Sequence, residues 1–316
     1  MSAERGRHLP VLLDEVLGAL DPKPGETLVD CTAGLGGHAA AIATRLGPTG
    51  QVLLVDVDPA NLAPATDSVR LRSGAPQVRS VAANFASVEA ITAREGLRAD
   101  LLLADLGFSS NQMADPLRGL SFAADAPLDM RLDPSLSGTA ADLVAALPER
   151  SLADLIFELG EEPLARRIAK RLVEARRTEA ITTTAQLARL VREAYGSRAA
   201  SSRMNPATRT FMALRIAVND ELGALERLLD SIERGAANAA SDRESWLSPA
   251  CRVAIISFHS LEDRLVKRRF RAIAKSLETR GAETSRKPVE ASEEESRGNP
   301  RSRSAKLRIL RLRGRC

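Results

Sequence analysis

The first third of the chain alternates short apolar runs with helical periodicity, and this rhythm limits the possible folds more than any other feature. The runs cover residues 26–32, 51–58, 78–85 and 99–106, and a helical pattern follows each of the first three. Alternation at this spacing is typical of β-α-β units with parallel strands. Nearly continuous apolar runs suit a sheet covered on both faces. The sequence therefore predicts an α/β fold with a doubly wound, Rossmann-like sheet.

The rhythm then stops and resumes only near the C-terminus. Residues 107–133 look like a loop, and 151–195 show helical faces with no strand between them. A helical domain of about 90–100 residues inserted in one α/β domain explains this, since domains favour such sizes. We expect an all-helical insertion over 113–206, with the sheet domain built from 1–112 and 207–316.

The C-terminal part carries an excess of positive charge. From Arg264 onwards there are 17 Lys and Arg against 6 Asp and Glu, whereas the rest of the chain has a net charge of −7. This split favours either a polyanionic partner or a solvated terminus. The patterns after the insertion predict a helix, a strand, a second helix, a mobile loop and a last strand, over 207–233, 252–258, 264–275, 282–304 and 306–312. The basic end is therefore expected to fold into the sheet domain.

The apolar runs and the cysteines indicate the cellular compartment of the protein. The runs are too short to span a bilayer, and the N-terminus has no signal-peptide pattern, so no membrane association is expected. Cys31, Cys251 and Cys316 form no CxxC pair, so we expect no disulfide, zinc site or other metal. Cys31 and Cys251 are interpreted as small buried hydrophobes, and a reducing cytoplasm is inferred.

A glycine-rich turn follows the first apolar run. Gly34, Gly36 and Gly37 precede His38 and a helical segment. Glycines allow a ligand to approach the backbone, and a helix N-terminus favours anionic or polar groups. Asp56 ends the second run 20 residues after Gly36, the usual spacing for a carboxylate that binds ribose hydroxyls. The pattern predicts an adenosine-type cofactor.

The form of the turn distinguishes between cofactors. A dinucleotide fingerprint requires a third glycine where this chain has Ala39. Asp30 followed by the glycines is more similar to the first motif of class I methyltransferases that use S-adenosyl-L-methionine. Two alternatives stay open: Asp30 can cap a turn, and His38 can form a local hydrogen bond.

The fourth apolar run ends in Asp105-Leu106-Gly107-Phe108. In a doubly wound sheet this strand lies beside the first, across the switch point. Amino-group methyltransferases have an acidic or amide residue here, then two small or rigid residues and an aromatic one; Leu106-Gly107 replaces the usual prolines. The conjugated amino nitrogen of a base must be held in line with the methyl donor, mainly by positioning and electrostatics. Asp105 is the catalytic candidate, although it can also cap the turn and contact only the cofactor.

Longer strings resemble one family over nearly the whole chain: the bacterial 16S ribosomal RNA cytosine-N4 methyltransferases. Several of these strings have no general fold reason to occur. They are His8-Leu9-Pro10-Val11-Leu12, Gly34-Leu35-Gly36-Gly37-His38, Asp105 to Ser110, Arg118-Gly119-Leu120-Ser121-Phe122, Pro127 to Arg131, Gly160-Glu161-Glu162, Asn205 to Phe211, Phe258 to Arg264, and Asn299 to Arg308. Phe108 and Asn111 depart from the Val and Pro expected there.

The resemblance implies transfer of a methyl group from S-adenosyl-L-methionine to N4 of a cytidine in the decoding region of 16S rRNA, within the small ribosomal subunit. It also implies a set of cofactor contacts. These are Gly36, Gly37, His38, Asp56, Phe85, Asp105 and Gln112. Phe85 can pack on adenine, or it can belong to the core.

Basic residues offer RNA contacts in three places: the run 166–177, the turn around Asn205, and the tail. A charged helix face is more often only solvated, which weakens the first. At the turn, Asn, Thr and Arg can recognise a splayed base, so Arg203, Asn205 and Arg209 are substrate candidates. His259 can orient the base or form a local hydrogen bond. The target base must leave its stack.

Other classes of function remain in competition. An NAD-dependent oxidoreductase is disfavoured by Ala39 and by the lack of a recognisable proton-relay motif. A non-catalytic RNA-binding assembly factor is disfavoured by the intact glycine turn, Asp56 and Asp105. A DNA cytosine or a protein glutamine as methyl acceptor is excluded only by the family strings.

Overall fold

A computed structural model of the chain describes residues 10–202, 204–278 and 281–314. The chain divides into two compact units: a sheet unit, Met1–Gly107 with Leu222–Cys316, and a helical unit, Phe108–Glu221. Some residues singled out in the sequence lie outside the described residues. These are His8, Leu9, Arg203 and Cys316.

The first part of the sheet unit alternates helices and strands, as expected. Its elements are α1 Leu13–Leu20, β1 Thr27–Asp30, α2 Gly37–Leu46, β2 Gln51–Asp56, α3 Pro59–Arg70, β3 Gln77–Ala82, α4 Val88–Arg94 and β4 Ala99–Asp105. The start of α3 shows the local cause: Pro59 occupies the first turn, and the Asp58 side chain accepts a hydrogen bond from the Ala60 N–H. Phe85 is not in a strand but in a short 3-10 turn, Phe85–Ser87.

The helical unit contains no named strand in its described residues. Its helices are α5 Ser110–Ala114, α6 Ala140–Ala146, α7 Glu149–Gly160, α8 Ala165–Arg176, α9 Thr184–Tyr195, α10 Arg198–Ser201 and α11 Ala207–Asn219. The N-cap of α9 is Thr183, which forms a capping box with Gln186. Apolar side chains of α7, α8 and α11, such as Leu152, Ile168 and Leu214, share one core.

The chain returns to the sheet unit through α12 Glu221–Ala239, β5 Leu247–Ser257, α13 Ser260–Ser276, β6 Ala282–Thr284, α14 Glu293–Gly298 and β7 Lys306–Leu312. The expectation of a mobile loop over 282–304 was wrong in part, because this segment holds β6, α14 and a 3-10 turn, Pro300–Ser304. The pairing of β6 with β7 satisfies backbone N–H and C=O groups of this segment. The low apolar content of the segment did not predict this pairing.

Within the described residues the sheet has seven strands in the order β3-β2-β1-β4-β5-β7-β6. The first five are parallel, and β4 lies beside β1 as predicted. The sheet is not parallel throughout, because β7 runs antiparallel to β5 and β6 antiparallel to β7.

Apolar clusters cover both faces of the sheet, as the strand composition predicted. Val29 belongs to one cluster and Leu28 to the other, and β7 likewise contributes Leu310 to the first and Leu307 to the second. The edge strand β3 differs, since its residues are exposed or only half-buried. Cys31 and Cys251 are buried, as predicted. In the part of the chain that the structure describes, no helix is both long and apolar enough to cross a bilayer.

A single helix over 207–233 was predicted, and this was wrong. The chain breaks between α11 and α12 at Asp220, whose φ is 47°. Asn219 explains the break: its side chain accepts a hydrogen bond from the Leu132 N–H at 2.7 Å and donates one to the Met130 carbonyl at 2.8 Å. These partners are distant in sequence, and no glycine or proline marks the position.

The boundary of the insertion also differs from the expected 113–206. The helical unit begins at Phe108 and includes α11. Phe211 and Leu214 of α11 are buried in the core of the helical unit, so this helix belongs to that unit.

Candidate functional site

The glycine turn after β1 allows close packing of the backbone. Gly36 has a φ of +80°, and a Cβ atom there would lie 2.7 Å from the Ala65 Cα. At Gly37 a Cβ would lie 2.7 Å from the Pro10 ring. Gly36 therefore needs glycine for both space and conformation, and Gly37 needs it for space.

Asp56 ends β2 beside this turn. Its Oδ2 accepts a hydrogen bond from the Gly34 N–H at 2.8 Å, and its Oδ1 accepts one from the Asp58 N–H at 2.8 Å. Burial raises the pKa of the carboxyl, and these backbone bonds oppose that effect. The Asn61 side chain also hydrogen-bonds this carboxylate. Two oxygens offer about four lone pairs, so the carboxylate can still accept from a ribose hydroxyl.

Asp30 ends β1 and is 2% exposed. Its Oδ1 accepts a hydrogen bond from the Thr32 N–H at 3.1 Å, which is the turn-capping alternative. Burial raises its pKa to about 7, and the charges of Asp105 and Asp56 add to the effect. A carboxyl group that titrates near neutrality is a common mark of a functional site.

Asp105 ends β4, where Thr32 Oγ1 accepts a hydrogen bond from its N–H at 2.6 Å. Burial raises the pKa of this carboxyl to about 7; Arg301 opposes the rise and Glu262 adds to it. The side chain is 27% exposed, yet its Oδ1 atom is buried and has no hydrogen-bond partner among the described residues. Such an acceptor is rare in a folded protein and fits a ligand or substrate donor.

His38 lies at the start of α2, and its side chain is 8% exposed. Its Nε2 lies 2.9 Å from the Val11 carbonyl oxygen, and its Nδ1 lies 3.8 Å from Asp105 Oδ2. Burial lowers the pKa of the imidazole. Because a carbonyl can only accept, the neutral ring must carry its proton on Nε2 and leave Nδ1 as an acceptor. The local hydrogen bond considered for His38 is therefore present.

Phe85 and Gln112 belong to different units. In the sheet unit, Phe85 is half-buried and packs against one of the two sheet cores, so the core alternative has structural support. In the helical unit, Gln112 is 3% exposed, and its Oε1 accepts a hydrogen bond from the Ser109 N–H at 2.9 Å. Contact of either residue with a cofactor remains a prediction.

Two of the residues expected to contact RNA lie at the start of α11. Asn205 is exposed, and its Oδ1 accepts a hydrogen bond from the Ala207 N–H at 3.0 Å. Arg209 is half-buried one turn further on, and the third candidate, Arg203, lies outside the described residues. His259 begins α13 in the sheet unit, where its Nε2 lies 3.2 Å from Glu262 Oε1. That distance suits an ion pair if the imidazole is protonated, and the choice between the two alternatives for His259 remains a prediction.

The basic residues differ in how far they are neutralised. In the tail, Arg308 pairs with Asp263 at 2.6 Å, and Arg269 pairs with Asp230 at 2.6 Å. In the helical unit, Arg171 pairs with Glu193 at 2.6 Å. The net charge of the C-terminal part therefore overstates the positive charge available to a polyanion.

Three residues near Asp105 or His38 were not selected from the sequence: Thr32, Glu295 and Arg301. Thr32 could have been found, since it lies between Asp30 and the glycines. Glu295 accepts a hydrogen bond from the Leu12 N–H at 2.7 Å, and the two are 283 residues apart. Both Glu295 and Arg301 lie in the segment expected to be a mobile loop. Arg301 belongs to the string Asn299 to Arg308, which was noted for its resemblance but not as a neighbour of Asp105, and no local pattern marks Glu295.

The sheet unit fits the cofactor expected from the sequence. The glycine turn, the Asp56 carboxylate beside it and the unpartnered Asp105 Oδ1 all lie at the carboxyl ends of β1, β2 and β4. Ligands bind at this edge of a doubly wound sheet, next to the switch point between β1 and β4.

Comparisons with known proteins point to one family over nearly the full length of the chain. The model of the MraW methylase family matches residues 5–313. A protein of Synechococcus sp. (strain RCC307) named ribosomal RNA small subunit methyltransferase H is 47% identical over 305 residues, covering 96% of this chain and 94% of that protein. A protein of the same name from Symbiobacterium thermophilum is 44% identical over 317 residues, with 96% of each chain covered.

Solved structures are more distant. TrmN from Thermus thermophilus has a TM-score of 0.41 at 14% identity, covering 98% of this chain and 51% of that one. An S-adenosylmethionine-dependent O-methyltransferase from Thermotoga maritima has a TM-score of 0.39 at 9% identity, covering 98% and 69%. At such scores these structures do not inform the interpretation of the site.

Proposed function

This chain belongs to the MraW methylase family, and from that premise we propose that it methylates the exocyclic N4 amino group of a cytidine in the decoding region of 16S rRNA. Its curated relatives are named ribosomal RNA small subunit methyltransferase H and match over nearly their whole length. The chain is an enzyme, a methyltransferase that depends on S-adenosyl-L-methionine. Its RNA substrate is that of the small ribosomal subunit, and we place the enzyme in the cytoplasm, where these subunits are assembled.

The observation that carries the proposal is the unpartnered Oδ1 of Asp105 at the end of β4. An exocyclic amino group donates hydrogen bonds, and a carboxylate oxygen accepts them. A buried acceptor with no protein partner can hold such a group in one orientation. It also binds an amino group better than a carbonyl or a ring carbon, which have no N–H to donate.

The reaction needs alignment and the removal of one proton. When bound, S-adenosyl-L-methionine supplies a methyl group on a positively charged sulfur. The N4 lone pair forms the new bond to the methyl carbon while the carbon–sulfur bond breaks, its electron pair going to sulfur. Asp105 orients the amino group and then accepts the proton that the methylated nitrogen loses. A carboxyl with a pKa of about 7 is well matched to this role, since a general base works best near the operating pH.

The residues that would hold the cofactor are those that the family resemblance implies. We assign the backbone at Gly36 and Gly37 to the amino-acid end of the cofactor, with His38 beside it, and Asp56 to the ribose hydroxyls. Phe85 and Gln112 complete the proposed set. The carboxylate of Asp56 is already fixed by two backbone N–H groups, so it can bind the hydroxyls without first being ordered.

We assign contact with the flipped-out cytidine and its neighbours to Arg203, Asn205 and Arg209, and orientation of the base to His259. The exposed amide of Asn205 can hydrogen-bond a base edge, and the Arg209 guanidinium can bind phosphate. RNA binding should therefore weaken as the salt concentration rises.

The decisive experiment uses purified protein, methyl-labelled S-adenosyl-L-methionine and small subunits from a strain that lacks the enzyme. Digestion of the RNA and mass spectrometry should locate one labelled methyl group on N4 of one cytidine. Subunits from the parent strain, whose site is already methylated, serve as the control and should take up no label. Label on a ring carbon or a ribose, or no label at all, would contradict the proposal.

A further inference from the structure

The N-terminal segment and α14 meet beside His38 within the sheet unit. The Leu12 N–H donates a hydrogen bond to Glu295 Oε1 at 2.7 Å, and the Val11 carbonyl accepts one from His38 Nε2 at 2.9 Å. Pro10 packs against Gly37 on the same turn. Two segments from opposite ends of the chain thus converge on one imidazole, which in turn faces Asp105 across 3.8 Å.

The backbone at Leu12 is in an unfavourable conformation. Its φ of 55° and ψ of 38° are left-handed, a region that a branched side chain such as leucine rarely adopts. Leu12 is completely buried, so its N–H needs a partner within the protein, and Glu295 supplies it. Strained backbone of this kind is maintained where the surrounding structure requires it, often at functional sites. Here it directs the Val11 carbonyl towards His38.

The direction of this hydrogen bond determines what His38 presents to Asp105. With the proton fixed on Nε2, the Nδ1 lone pair faces Asp105 Oδ2. An ionised carboxylate gains nothing from that neighbour, because both atoms are acceptors. A protonated carboxyl can donate to it after a small rotation of the side chain. The arrangement therefore favours Asp105 in the state that follows removal of the proton from N4.

We propose that Glu295 is a positioning residue for the methyl transfer, and that it acts through the Leu12 and Val11 backbone to keep His38 Nδ1 available as the acceptor for the proton taken up by Asp105. The inference rests on the proposed function. It assigns a role to a segment in which the sequence shows no motif. It also explains why the neutral ring of His38 is buried at the cofactor turn.

Other charged groups also act on Asp105 and must be kept constant in a test. Asp30 at the end of β1 and Glu262 on α13 are negative neighbours, and Arg301 in the 3-10 turn after α14 is a positive one. None of them is altered by a substitution at Glu295. The charge of Glu295 itself raises the pKa of His38, and both Glu295→Ala and Glu295→Gln remove that charge. The difference between these two variants therefore reports on the hydrogen bond to Leu12 and on the path through His38.

The test compares Glu295→Ala with Glu295→Gln, whose side-chain oxygen can still accept the hydrogen bond from Leu12. The matched control is Glu294→Ala, an exposed neighbour on the same short helix. In Glu295→Ala the acid limb of the kcat profile should move to lower pH by about half to one unit, the effect of one hydrogen bond, and the plateau should fall. Glu295→Gln and Glu294→Ala should keep the wild-type profile.

A second measurement does not depend on turnover. The chain has only three histidines, so long-range ¹⁵N–¹H NMR correlations can resolve His38, with His38→Asn for assignment. The wild type should show one neutral form protonated on Nε2, and Glu295→Ala should show exchange between the two neutral forms. An unchanged tautomer and an unchanged pH profile in folded Glu295→Ala would overturn the inference. Absence of N4 methylation by the wild type would instead overturn the proposed function.

Discussion

At the scale of single residues, the site is defined by two carboxyl groups, the buried Asp30 and the half-buried Asp105. Asp30 and Asp105 each have a pKa near 7, because burial disfavours the charged form in both. Both carboxyl groups bind protons more tightly in the folded protein than in the unfolded chain. Their ionisation therefore lowers the free energy of unfolding as pH rises from about 4 to about 7. Asp105 still lacks a partner for Oδ1. Such a cost is expected where function requires the group.

The first prediction concerns Asp105. Asp105→Asn keeps the size of the side chain but removes the proton acceptor, so kcat at saturating cofactor should fall by about 10²–10⁴-fold. In the wild type, kcat should fall as pH drops through about 7, because only the ionised carboxylate accepts the proton. Initial rates between pH 5 and 9 test both statements.

Asp30 provides the control, because its pKa is also about 7. The acid limb should persist in Asp30→Asn if Asp105 is its source. Near-normal turnover by Asp105→Asn, or loss of the limb in Asp30→Asn, would show that the proton acceptor has been assigned to the wrong residue.

At the scale of elements, the helical unit depends on the close approach of α7 and α11. Gly160 ends α7, and a Cβ there would lie 2.7 Å from the Arg209 carbonyl oxygen and 3.2 Å from the Ala213 Cβ. The neighbours are backbone and a short side chain, so they cannot move aside cheaply. Because Arg209 is one of the proposed RNA contacts, this packing also fixes its position in the helical unit.

The second prediction is that Gly160→Ala lowers the free energy of unfolding by about 1–3 kcal/mol, the usual effect of overpacking. Gly18 in α1 is the matched control, since a Cβ there would meet nothing within 4 Å. Gly18→Ala should raise stability by roughly 0.5–1 kcal/mol through helix propensity. Urea denaturation measures both, and changes of the same sign would refute the packing argument.

At the scale of the whole molecule, net charge is a poor guide to where RNA binds. The C-terminal part has a strong basic excess, yet the guanidinium groups of Arg269 and Arg308 are held by carboxylates. Positive charge that is already paired releases few counterions on binding. Paired guanidinium groups such as these are therefore weaker candidates for phosphate contact than the net charge suggests, and Arg209 remains a candidate although it lies in the more acidic part of the chain.

The third prediction follows from that distinction. Arg209→Ser should weaken RNA binding and reduce the slope of log K against log salt concentration by about 0.7–0.9, the loss of one phosphate contact. Arg171→Ser is the control, because its guanidinium pairs with Glu193 at 2.6 Å. Filter binding across a salt series tests this, and equal slopes for Arg209→Ser and the wild type would contradict it.

The features that the sequence determined by itself have local causes. Apolar runs and helical periodicity identified β1 to β4 and their order around the switch point, and the glycine turn could be read from spacing alone. Asp105 could also be named in advance, because a residue at the end of a strand beside the switch point must lie at the ligand edge.

Only the tertiary structure decided the rest, because the causes are contacts between residues far apart in the chain. The break between α11 and α12 depends on bonds from Asn219 to residues almost ninety positions earlier. The order in segment 282–304 depends on antiparallel pairing of β6 with β7 and on the bond from Glu295 to Leu12, across 283 positions. Local sequence propensity does not depend on such distant partners. Glu295, which is proposed to position His38, could therefore be identified only from the folded chain.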